Sequence, residues 1–353
     1  MRVALDCGPL LDPPTGVGRY TRHLARALET VGVEVSRYAI AFGGRADEPV
    51  RRLRVPARLA QSAWRRLGRP TMDRFVGPAD VVHATNFVLP ALARTPGVVT
   101  VHDLSFERDD TWPGGERLRK LVPWSLERAA AAVVPSETVA EELRRRYGLA
   151  DSRVHVTHEG VAPEFFGATR LSAAALGRMG IPGRFVLAVG TIEPRKNLRR
   201  LLDAWALVGR DLDGWTLVIA GPKGWGGNLP PVDGVVLLGW VADETLPGLL
   251  AAADVFCYPS LYEGFGLPPL EAMAAGTPAL AGRYSAAPEV LGDAALLVDP
   301  TDVEELGEGL RRLGGDDNLR RQLAMTGRAR AASFRWETTA LQTKRVYESV
   351  AGS

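Results

Sequence analysis

Apolar residues in this chain gather in short, mostly unbroken runs, separated by stretches in which they recur about every three to four positions. A strand with one solvated face would alternate apolar and polar residues. Unbroken runs instead predict parallel strands covered by helices on both faces. In the first half the runs are RVALD (2–6), VEVSRY (33–38), DVVHA (80–84), GVVTVHD (97–103), AAAVVPS (130–136) and RVHVTHEG (153–160). In the second half they are RFVLAVG (184–190), WTLVIAG (215–221), GVVLLGW (234–240), ADVFCYPS (253–260), TPALAG (277–282) and AALLVDP (294–300). Helical stretches such as GRYTRHLARALETVG, SETVAEELRRRYG and NLRRLLDAWALVG lie between them. This βαβ rhythm runs twice, and a Gly/Pro/Ala-rich segment at roughly 160–183 interrupts it. The expected fold is therefore α/β, with two doubly wound, Rossmann-like domains whose parallel sheets face a central cleft. Residues 1–165 form the first domain, 166–335 the second and 336–353 a closing helix.

The length of 353 residues suits two ordinary domains, and 46% hydrophobic residues suffice to fill two cores. A net charge of +2 gives no reason to expect nucleic acid as a partner. The two cysteines, Cys7 and Cys257, each sit in an apolar run, which fits a reducing cytoplasm better than a disulfide framework. The start of the chain reads as a strand rather than a signal peptide, and no run of about 18 apolar residues spans a membrane. Segment 51–74 interleaves Arg51, Arg52, Arg54, Arg58, Arg65, Arg66, Arg69 and Arg74 with apolar residues. It reads either as a solvated helix or as a basic amphipathic surface for anionic lipid or a phosphorylated acceptor at the inner face of the membrane.

Ligands of open parallel sheets bind beyond the carboxyl ends of the strands, so motifs that follow strands are the site candidates. YEGFGLPPLEAM (262–273) follows ADVFCYPS and holds Glu263 and Glu271 around a glycine turn. Gly264 and Gly266 allow a tight turn, and Pro268 and Pro269 suit the first turn of a helix. The free N–H groups of that helix start form an anion site. Glu271 lies among Leu267, Leu270, Ala272 and Met273, where an ionised carboxylate needs donors. GTIEPRKNL (190–198) follows RFVLAV and sets Arg195 and Lys196 at a strand end, ahead of a helix expected to be capped by Asn197. PPTGVGRYTRHL (13–24) offers Gly16 and Gly18 as a glycine turn before a helix; Thr21 stands where the dinucleotide fingerprint needs its third glycine. TVHDL (100–104) ends a strand with His102, which Asp103 is placed to orient. His158 and Glu159 end the last run of the first domain, where they line the cleft or only hold the hinge. The D-x-D at 211–213 precedes its strand and so falls on the wrong side of the sheet for a metal site.

YPSLYEGFGLPPLEAMAAGTPALAG (258–282) resembles the E-x7-E signature of the retaining GT-B glycosyltransferases of family 4, most closely their mannosyltransferase-like members. The resemblance covers nearly the whole chain and is weakest over 40–75. It implies that Glu263 faces the donor sugar and Glu271 holds the ribose. The turn amides of Gly264, Phe265, Gly266 and Leu267 would contact sugar and diphosphate, and Arg195 and Lys196 would bind the phosphates. Gly16 and Gly18 would belong to a loop over the distal phosphate, and His102 would contact the sugar near the reacting centre. The last helix would cross back onto the first domain. GPKGWGG (221–227) and GWV (239–241) match regions that hold the nucleobase in that family.

The implied activity is transfer of a hexose from a nucleotide diphosphate sugar to an acceptor hydroxyl, with retention and without metal or cofactor. Mannose from GDP-mannose is the first expectation, and a UDP-linked donor is also compatible. The acceptor is a glycan, a lipid-linked saccharide or a small metabolite. Two other readings stand beside this one: a nucleotide-sugar epimerase of the same architecture, and a non-catalytic nucleotide-sugar-binding subunit.

Overall fold

The computed structural model describes residues 1–11, 16–45 and 48–352. The chain divides into two compact units. Met1–Gly160 and Arg335–Ser353 form the first, and Val161–Phe334 forms the second.

The first unit is built on seven parallel strands: β1 (Arg2–Asp6), β2 (Glu34–Ile40), β3 (Arg51–Leu53), β4 (Val81–Ala84), β5 (Gly97–Thr100), β6 (Ala131–Val134) and β7 (Val154–Val156). Their order is β3-β2-β1-β4-β5-β6-β7. The second has six: β8 (Arg184–Val189), β9 (Trp215–Ala220), β10 (Val235–Gly239), β11 (Val255–Tyr258), β12 (Ala279–Gly282) and β13 (Leu296–Val298), in the order β10-β9-β8-β11-β12-β13. Strands β4, β5, β6, β11 and β12 are buried along their whole length, as unbroken apolar runs require. The direction of winding reverses between β1 and β4 in one sheet and between β8 and β11 in the other. At such a point the connections leave in opposite directions and open a crevice beyond the strand ends.

Each of the twelve apolar runs holds a strand. The thirteenth, β3, escapes the pattern because two of its three residues are arginines; it pairs only with β2, at the sheet edge. Segment 51–74 is thus not one amphipathic helix but β3 followed by helix Ala57–Leu67 and a short helix Asp73–Val76. Ala60 and Trp64 face the core, while Leu59 and Leu67 are exposed beside Arg58, Arg65 and Arg66.

The boundaries also shift from those expected, from 165 to Gly160 and from 335 to Phe334. Val161, Ala162 and Phe165 belong to the core of the second unit, which moves the first boundary towards the N-terminus. Gly160 stays with the first unit because it lies against Trp336; a Cβ there would come within 2.2 Å of the Trp336 nitrogen. The last helix, Trp336–Ala351, packs in the first unit against helix Gly16–Thr30. Trp336 stacks on His23 with ring centroids 5.2 Å apart, and Lys344 Nζ donates to Val31 O at 2.9 Å.

Candidate active site

In the second unit the loops after β8 and β11 meet at the reversal point. Arg195 and Lys196 close a 3₁₀ turn, Pro194–Lys196, and Glu263 follows β11. The Glu263 carboxylate bridges both cations: Oε2 is 2.7 Å from Arg195 Nη1 and Oε1 is 2.6 Å from Lys196 Nζ. Ser260 Oγ donates to the same Oε1 at 2.5 Å. Arg195 Nε lies 2.6 Å from Glu193 Oε1, and Lys196 Nζ donates to the Tyr258 hydroxyl at 2.6 Å. All four charged side chains are at least four-fifths buried, so the pairs are poorly screened.

Burial pushes the Glu263 carboxyl up, but the charges of Arg195 and Lys196, with hydrogen bonds from Lys196 and Ser260, outweigh it and hold the group at about 2. Burial and the neighbouring Arg195 push the Lys196 ammonium down, against the pull of Glu263. The cations expected to meet phosphate are therefore already shared with two carboxylates. Glu193, only 6% exposed, was not among the expected site residues. It stands in the same GTIEPRKNL stretch, two places before Arg195, where an acidic residue reads from sequence as solvated.

Asn197 does not cap the next helix with its side chain. Its backbone is left-handed at φ 59°, and its Nδ2 donates to Pro259 O at 3.1 Å and Pro300 O at 2.6 Å. Together with Leu261 N–H on Arg195 O at 2.8 Å, these bonds tie the two site loops into one piece. The chain then turns through Gly266, at φ 103°, into helix Leu267–Ala274, where Pro268 and Pro269 occupy the first turn as expected. Phe265 is buried against Phe334, so its amide rather than its ring is what the turn can present. Glu271 lies one turn inside, 4% exposed.

In the first unit His102 follows β5. Its Nε2 faces Thr85 O at 2.8 Å, and its Nδ1 lies 3.5 Å from Glu159 Oε1. Tyr20 packs edge-on to the ring at 4.7 Å. The carboxylate beside His102 is thus Glu159, not Asp103. Asp103 accepts from Ser105 N–H at 2.8 Å and caps the local turn instead, because a short Asp side chain satisfies backbone two residues on most easily. Gly16 and Gly18 form the first turn of helix Gly16–Thr30 rather than a loop before it; residues 13–15 of that motif lie outside the described residues. Asp211 pairs with Arg311 at 3.0 Å, and the intervening Leu212 is core. Among the described residues no group of three or more His, Cys, Asp or Glu is arranged to hold a metal, and no helix is long and apolar enough to cross a membrane.

Comparison with known proteins identifies the family. Residues 182–330 match the glycosyl transferases group 1 family, and residues 14–165 match glycosyltransferase family 4. The chain is 30% identical to the O-antigen chain mannosyltransferase B of Escherichia coli, over 99% of this chain and 100% of that protein. Among solved structures, sucrose-phosphate synthase of Thermosynechococcus elongatus superposes with a TM-score of 0.78 at 22% identity, covering both chains fully. Anabaena HepE in complex with UDP-glucose superposes with a TM-score of 0.72 at 19% identity, over 99% of this chain and 100% of that one. At those identities the structures speak for the fold alone.

Proposed function

The chain belongs to the group 1, family 4 glycosyltransferases and is mannosyltransferase-like, and from that premise we propose that it transfers mannose from a nucleoside diphosphate donor to an acceptor hydroxyl with retention. The observation that carries the reading is the buried Arg195–Lys196–Glu263 cluster beside the start of helix Leu267–Ala274, at the reversal point of the sheet.

The bond between the anomeric carbon and the phosphate oxygen breaks with its electron pair leaving on the diphosphate. Arg195, Lys196 and the turn amides of Gly264 to Leu267 meet that charge, which stabilises departure. Glu263 shares both cations and faces the positive character that develops on the sugar. Glu271, at about one turn into the helix, accepts from the ribose hydroxyls. The acceptor oxygen bonds to the anomeric carbon, and the proton it releases balances the negative charge set free on the diphosphate. For the first unit, the family resemblance alone assigns His102 to the sugar and Gly16 and Gly18 to the distal phosphate. No metal enters this scheme, because two cations and a helix start already serve the phosphates. Helix Ala57–Leu67, with exposed Leu59 and Leu67 beside arginines, is the surface through which the enzyme would touch an anionic membrane.

The test is a thermal-shift panel of GDP-, UDP-, ADP- and dTDP-sugars with EDTA present. GDP-mannose is expected to give the largest shift. A shift from another base class would move the donor assignment. No shift from any member in a folded sample would remove the metal-independent donor site. HepE is seen with UDP-glucose, so UDP-sugars are the informative competitor.

A further inference from the structure

Among the described residues three non-glycine residues have left-handed backbones: Phe87 at φ 59°, Asn197 at φ 59° and Ser285 at φ 60°. That conformation costs an ordinary residue free energy, so it persists only where surrounding contacts hold it, and it gathers at functional sites. Each of the three lies against a candidate site residue. The Phe87 ring stands edge-on to His102 at 6.0 Å, and Asn197 follows Lys196 directly. Ser285 reaches Glu263: its hydroxyl accepts from Glu263 N–H at 3.2 Å and donates to Glu263 O. A serine that merely braced its own loop would bond within it. This hydroxyl instead spans 22 residues of sequence and takes both peptide groups of one glutamate.

These two bonds have a geometric consequence. The N–H and C=O of Glu263 belong to the peptide planes on either side of its Cα, so holding both fixes the direction in which the side chain leaves. A planar trans peptide also points Gly264 N–H opposite to Glu263 O, so Ser285 sets that turn amide too. The glycines at 264 and 266 give the turn little stiffness of its own. The loop that carries Ser285 is anchored beside β13. Arg283 N–H donates to Val298 O at 2.8 Å, Tyr284 Oη donates to Asp299 Oδ2 at 2.7 Å, and Arg283 Nη1 meets Glu305 Oε1 at 2.6 Å. Ala286, the next residue, is fully buried. The Glu263 side chain is thus held from the loop after β8, by Arg195 and Lys196, and its backbone from the loop after β12, by Ser285.

We propose that Ser285 is a positioning residue for the transfer reaction, holding the Glu263 carboxylate and the Gly264 amide in register with Arg195 and Lys196. Its effect on rate rests on the transferase reading above; the holding itself rests on the two bonds of its hydroxyl. The experiment compares Ser285→Ala and Ser285→Gly in the full chain. Both lose the hydroxyl, but glycine keeps the left-handed backbone without strain and alanine does not. Turnover is read as release of nucleoside diphosphate from GDP-mannose and from UDP-glucose, with water as the acceptor. Both variants are expected to lose roughly ten- to a hundredfold in kcat, the effect of misplaced reacting groups, with KM within about threefold of the wild type. Ser285→Gly should melt at a higher temperature than Ser285→Ala, so rate follows the hydroxyl while stability follows the backbone. A serine with a structural role only would leave Ser285→Gly with normal kcat, and that result overturns the proposal. Hydrogen exchange of the peptide spanning 262–267, followed by mass spectrometry, should be about tenfold faster in both variants, with that of β11 unchanged. Unchanged exchange across 262–267 overturns the proposal as well. If the wild type releases diphosphate from neither donor, the transferase reading is what fails, and the exchange rates still decide whether Ser285 holds the turn.

Discussion

The Glu263 carboxylate and the Lys196 ammonium meet at 2.6 Å, each less than one-fifth exposed, with Arg195 on the carboxylate's other oxygen at 2.7 Å. If a diphosphate binds here as proposed, it competes with Glu263 for the same donors. The glutamate would then lower affinity for the anion while orienting both cations, an arrangement that favours charge appearing during reaction over charge present before it.

Removing the carboxylate charge should separate these two effects. Glu263→Gln keeps the shape and releases both cations. It is expected to bind nucleoside diphosphate several-fold more tightly, yet turn over at least about a hundredfold more slowly. Glu263→Ala and Lys196→Ala should also each lower turnover by orders of magnitude, at unchanged fold by circular dichroism. Because the two side chains act as one unit, the double variant should be little slower than either single variant. Near-wild-type turnover in both single variants would show that this cluster is not the reacting site.

Asn197 gives a test of how the site is held. Its side chain spans Pro259 O and Pro300 O, and its backbone sits at φ 59°. Asn197→Gly retains the backbone and loses both bonds, with an expected loss of roughly 2 kcal/mol of stability. Asn197→Ala should lose about 1 kcal/mol more, because alanine is strained in the left-handed region. Chemical denaturation measures both values. Equal destabilisation would mean that the backbone conformation contributes nothing.

These residues also show what was legible in the sequence. That Arg195, Lys196 and Glu263 would lie near one another could be read because each follows a strand end and both sheets are doubly wound as expected. Glu193 was not legible: its burial depends on how the 3₁₀ turn at Pro194 folds under it, and nothing in its neighbours signals that. The partner of His102 was misassigned because proximity in sequence favoured Asp103, whereas Glu159 arrives from the end of β7, two strands across. Asn197 looked like a cap because caps are local; its real contacts lie 62 and 103 residues away. Strand β3 carried no apolar run to reveal it. Local chemistry and periodicity were readable, and pairings made across the sheet were not.

The His102–Glu159 pair separates orientation from contact. Nε2 is fixed on Thr85 O at 2.8 Å, so the carboxylate, at 3.5 Å from Nδ1, restrains the other edge of the ring at ion-pair distance. If His102 serves the reacting sugar as proposed, His102→Ala should lower turnover by about a hundredfold, the lower end of the range for a group that moves a proton in the reaction. Glu159→Ala should cost about tenfold, chiefly in kcat, and Glu159→Gln, which keeps a polar group in place, should recover most of it. A Glu159→Ala enzyme with normal kcat would remove the positioning role.

The last prediction concerns acid. His83 is fully buried, with Nδ1 2.6 Å from the Tyr347 hydroxyl of the final helix and Nε2 2.7 Å from Thr100 Oγ1. Burial, and after it the nearby His102, hold its imidazole down at about 3 against an ordinary 6.5. Above 6.5 the ring is neutral in both folded and unfolded chains, and it adds no pH dependence. As pH falls from 6.5 towards 3 the unfolded chain takes up a proton that the folded chain refuses, so stability declines by up to about 1.4 kcal/mol per pH unit. Below 3 the folded ring also titrates and the slope vanishes. His83→Gln keeps a side chain able to hydrogen-bond and removes the titration. The melting temperature of the wild type should therefore fall more steeply between pH 6.5 and 4.5 than that of His83→Gln, whatever their difference at neutral pH. The final helix carries Tyr347, so limited proteolysis should release the C-terminus of the wild type earlier on acidification than that of the variant. Parallel melting curves across this range would mean that His83 accepts its proton without unfolding, and the buried imidazole would then have no part in the acid response.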